Sequence, residues 1–89
     1  MRAIVTVIGK DRVGIIANVC SILAENGVNI LDISQTVMKE YLTMIMLVDA
    51  TESSSQFVEL SKALETRGEE QALSIRIQRE DIFDAMHRI

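Results

Sequence analysis

The chain has 89 residues, 48% of them hydrophobic, a formal net charge of −4 and a pI of about 4.8. That length bounds it to one small domain, and the acidic balance excludes the basic field of a non-specific nucleic-acid binder. The single cysteine excludes an internal disulfide and fits a reducing, cytoplasmic setting, while no apolar run approaches the roughly 20 residues of a membrane span.

The run Ala3-Ile4-Val5-Thr6-Val7-Ile8 is β-branched and apolar on both parities, which predicts a central strand covered on both sides. Met1 to Ile8 is too short for a secretory leader. Gly9-Lys10-Asp11-Arg12-Val13-Gly14 then leads into a helix predicted from about Val13 to Asn26. Its apolar stripe holds Ile15, Ile16, Val19, Cys20, Ile22 and Leu23, and Asn18, Ser21 and Glu25 share the opposite face. Asn26-Gly27 is a helix stop, because glycine takes the left-handed conformation without Cβ strain.

Val28 to Lys39 predicts a long strand with a break in phase. Val28 and Ile30 share one parity, and Leu31, Ile33 and Val37 share the other; a bulge or an interface accounts for the change. A turn at Glu40-Tyr41 and a two-sidedly apolar strand from Leu42 to Ala50 complete an antiparallel hairpin. Ser53 and Gln56 fit a capping box ahead of a helix with Phe57, Leu60 and Leu64 on one face, ending near Gly68. Leu73, Ile75 and Ile77 alternate with Ser74, Arg76 and Gln78, a strand with one wet face. Ile82, Phe83, Met86 and Ile89 mark a short terminal helix.

The order is β-α-β-β-α-β plus that helix, an α+β ferredoxin-like sandwich: a four-stranded antiparallel sheet with two helices on one face. In this topology the first and third strands are central. The high apolar fraction exceeds what one small core hides, so a self-association face is expected.

The site chemistry is sparse. A helix start offers unpaired N–H groups and partial positive charge, and Gly14 lets a small anion come close to the backbone. Each feature also has a purely structural reading: Asp11 as a helix cap, Gly14 as a close-packing residue, Asn29 as a turn residue and Arg12 as a solvated charge. Cys20 lies on an apolar stripe, as core thiols do, and Met38, Met44 and Met46 suit a core or an interface. His87 is the one histidine and has no neighbouring ligands in sequence. No metal, cofactor or acid–base pair is indicated.

The run Gly9 to Ala17 and the later Gly27-Val28-Asn29-Ile30-Leu31-Asp32-Ile33-Ser34-Gln35 together resemble the ACT domain, over the whole chain. The likeness is nearest to small stand-alone proteins of the UPF0237 type. The resemblance implies a single ACT domain over residues 1–89 that is regulatory and non-enzymatic and binds an amino acid at a homodimer interface. It places Gly9, Asp11, Val13, Gly14, Ile15, Asn29 and Ile30 at the ligand. Val13 stands where the family often has proline, and Gly9 lacks the side chain found in some serine-binding relatives. Two alternatives stay open: an interaction module without a small ligand, and a small acylphosphatase-like enzyme using Arg12, although that enzyme's loop signature is absent.

Overall fold

A computed structural model describes residues 1–10, 13–51 and 57–81. Strand β1 (Arg2–Lys10) leads to helix α1 (Ile15–Glu25), then strands β2 (Asn29–Met38) and β3 (Tyr41–Asp49), helix α2 (Phe57–Glu70) and strand β4 (Ser74–Arg79). The sheet order is β2-β3-β1-β4, with every neighbouring pair antiparallel. The ferredoxin-like arrangement follows, with the first and third strands central as the sequence predicts.

One face of the sheet is buried under the helices. Ala3, Val5 and Val7 of β1, Met44 and Met46 of β3 and Ile75 of β4 are all at most 1% exposed, against Val19, Ile22 and Leu23 of α1 and Leu60 and Leu64 of α2. The other face corrects the sequence reading. Ile8 and Ile45, on the opposite parity, are 49% and 44% exposed, so among the described residues the central strands are covered on one side only. Two-sided apolarity here records a sheet face without a cover, not a second layer. The methionines divide likewise, Met44 and Met46 within the core and Met38 exposed.

The phase break in β2 is a bulge. Ile30 pairs with Val48 and Asp32 with Leu47, so Leu31 is the extra residue. Asp32 Oδ1 accepts the Ile33 backbone N–H at 2.9 Å. The bulge lies on an edge strand, whose outer side pairs with no other described strand.

The hairpin turn is Lys39-Glu40, one residue earlier than the sequence predicts, because Met38 pairs with Tyr41. Lys39 has φ 56, and a two-residue loop needs such a positive φ to match the strand twist. Helix α2 runs past Gly68 to Glu70. Gly68 is a packing residue: a Cβ there would lie 2.9 Å from both Ile75 Cγ1 and the Leu73 carbonyl oxygen. The Ser53–Gln56 capping box and the terminal helix with Ile82, Phe83, Met86, His87 and Ile89 fall outside the described residues.

Candidate functional site

Helix α1 begins later than its apolar pattern suggests. Gly14 is its N-cap, at φ 91, with no side chain bonded to the helix start. The first intrahelical bond runs from the Asn18 N–H to the Gly14 carbonyl at 2.9 Å. The N–H groups of Ile15, Ile16 and Ala17 precede it and have no intrahelical acceptor. No acidic side chain sits in the first turn of α1, so none within that turn offsets the partial positive charge of the helix end.

Gly14 is a glycine for its conformation, not for packing. Its φ disfavours every residue with a Cβ, yet a Cβ built there has nothing within 4 Å. Val13 beside it is fully exposed. Gly9 is the opposite case. It lies in β1 on the helix side of the sheet, where the Leu73 side chain occupies the place a Cβ would take. Asp11 and Arg12 lie outside the described residues.

Beneath the helix start is an open groove of about 550 Å³, lined by Gly14, Ile15, Ile16, Ala17, Gln35, Val37 and Leu42. Of the residues predicted from the sequence, Gly14 and Ile15 line it. Ile16, Ala17, Gln35, Val37 and Leu42 were missed, although Gln35 carried a signal: it is a polar residue on the parity of Ile33 and Val37, which otherwise faces the helices.

Asn29 and Ile30 are elsewhere. Asn29 is exposed and pairs with Asp49, at the end of the sheet where β1 begins, whereas the α1 loop follows Lys10 at the other end. Eight residues of β2 separate Asn29 from Val37, about 25 Å along the strand. Ile30 packs against the core. Asp49 accepts the Thr51 N–H at 2.9 Å and the terminal ammonium at 3.3 Å. Bonds from the Thr51 side chain and backbone, with the nearby terminal amine, hold its carboxyl down at about 2. That end of the sheet therefore keeps an anion beside Asn29.

Other chemistry is thin. Cys20 is a half-buried free thiol, and among the described residues no three metal-ligating side chains cluster. No described helix is long and apolar enough to cross a membrane.

The profile model of the ACT domain family matches residues 2–78. The chain belongs to the ACT domain family. Within it, the ACT domain is 56% identical to a UPF0237 protein of Clostridium acetobutylicum over 89 residues, covering 100% of both chains. Its fold matches an ACT domain protein from Streptococcus pneumoniae at a TM-score of 0.83 and 45% identity, covering 98% of each. It also matches the regulatory subunit of aspartate kinase from Thermus thermophilus at a TM-score of 0.66 and 28% identity, covering 86% of this chain and 50% of that one.

Proposed function

We propose that this ACT domain is a non-enzymatic regulatory module that binds a free amino acid between two copies of the chain. The observation that carries the reading is Gly14: a left-handed glycine with open space beside it, at an uncapped helix start above a groove. The ligand carboxylate takes the N–H groups of Ile15 to Ala17. Its ammonium needs acceptors, which the side chains of Asp11 and Asn29 offer.

One copy leaves Asn29 about 25 Å from the loop. Two copies placed side by side along their β2 edges, about a two-fold axis normal to the sheet, run β2 antiparallel to its mate. Asn29 of the second copy then stands level with Val37 and Met38, beside the loop. The site is complete only as a dimer, and an isologous interface makes two of them. The likeness to the regulatory subunit of aspartate kinase supports a sensing role.

Isothermal titration with amino acids at millimolar concentration tests the reading. Charge-assisted bonds of roughly 1.5–3 kcal/mol each, less the cost of association, predict a Kd of about micromolar to millimolar. Gly14→Ala is expected to weaken binding at least tenfold, and Asn29→Ala, at the far end of the sheet, to do the same without touching the helix start. No heat from any amino acid would reject the proposal.

A further inference from the structure

The sheet face turned away from the helices has an apolar middle and charged ends. On the two central strands it pairs Ile4 with Leu47, Thr6 with Ile45 and Ile8 with Thr43, on the parity opposite to the buried core positions. Arg2 and Asp49 close these rows at one end, and Lys10 and Tyr41 at the other. Ile8 and Ile45 are exposed, and Ile4 and Leu47 are half-buried. We propose that this face is the docking surface for the chain's own residues 82–89.

The described chain stops at a corner of that face. Arg79 of β4 pairs with Ala3 of β1, so Glu80 comes level with Arg2. Its Oε2 meets Arg2 Nη2 at 3.1 Å, on the open side of the sheet, and Glu80 and Asp81 already turn helical. Carboxylates suit the start of a helix. The chain is thus delivered one row away from Ile4 and Leu47. The sequence that follows matches the face in chemistry. Ile82, Phe83, Met86 and Ile89 recur at the spacing of one helix side, with Asp84 and Arg88 opposite. The middle of the face carries no charge on either central strand, so an apolar stripe laid there strands none.

The lengths match as well. Ile4 to Ile8 covers about 13 Å of strand, and a helix through residues 82–89 would run about 12 Å. Laid along β1 and β3 from the Glu80 corner, it reaches the Ile8 row. Covering the face removes two apolar surfaces from water together, and the gain scales with their area. A tethered segment does this without the association cost that a second copy meets.

The chain has no tryptophan, so Phe83→Trp in the full chain reports on this segment alone. Its emission is expected to lie well to the blue of the same variant in urea. Ile45→Asp, in the middle row, should shift that emission to the red, and Ile8→Asp, in the last row, should do the same. Far-ultraviolet circular dichroism checks that each variant stays folded. Val58→Asp, exposed on α2 across the sheet, should leave the emission unchanged. Emission as red in the folded chain as in urea would overturn the proposal. Blue emission that neither face variant moves would place the segment elsewhere and overturn it too. Blue emission lost on dilution would give the segment's burial to contact with another copy, with the same result.

Discussion

Gly27 and Ala72 occupy the same position in two different helices. After α1, the Val28 N–H bonds the Leu23 carbonyl at 2.9 Å and the Gly27 N–H bonds the Ala24 carbonyl at 3.0 Å. After α2, the Leu73 N–H bonds the Gly68 carbonyl at 2.8 Å and the Ala72 N–H bonds the Glu69 carbonyl at 3.1 Å. Both are Schellman endings, which place one residue in the left-handed region; Gly27 has φ 72 and Ala72 φ 58. Only the first was legible in the sequence, because a glycine announces the conformation and an alanine does not. An L-residue pays about 1–2 kcal/mol there. Gly27→Ala is therefore expected to lower the unfolding free energy by about 1 kcal/mol. Ala72→Gly should raise it by about 0.5–1 kcal/mol, once the greater freedom of glycine in the unfolded chain is subtracted. Urea unfolding of the two variants, with unchanged slopes, checks both.

At the scale of elements, the alternation of β4 and the stripes of both helices were readable because each has one wet face and one dry face. The strand order came with the sequence of elements, since a β-α-β-β-α-β chain has few right-handed, uncrossed solutions. The phase break in β2 was visible, but its cause was not; the register, with Leu31 unpaired, shows a bulge. The end of α2 was misplaced because Gly68 resembles a stop signal. Its real work is the approach of α2 to β4, where Ile75 and the Leu73 carbonyl leave no room for a methyl group. Side chains can swing aside, but the carbonyl is fixed in the chain reversal. Gly68→Ala is accordingly expected to cost about 1–3 kcal/mol, read as a lowered urea midpoint. A clean two-state transition with no shift would show that α2 docks loosely.

For the whole molecule, the two motifs of the proposed site are close in sequence and far apart in the fold. A helix and its turn carry the chain from the Gly14 end of the sheet to the Asn29 end, and the antiparallel return of β2 brings back Gln35 and Val37, not Asn29. Spacing alone showed two motifs; the topology shows that one copy cannot join them. The shared groove is therefore the central claim, and subunit mixing tests it most directly. Chains carrying Gly14→Ala and chains carrying Asn29→Ala are titrated separately with an amino acid that binds the parent chain, then after unfolding and refolding together. If each site takes its loop from one chain and its asparagine from the other, the separate preparations bind at least tenfold more weakly than the parent. The mixture regains roughly one site in four, because half the dimers are mixed and each of those holds one intact site. A mixture as inactive as its components would contradict the shared site.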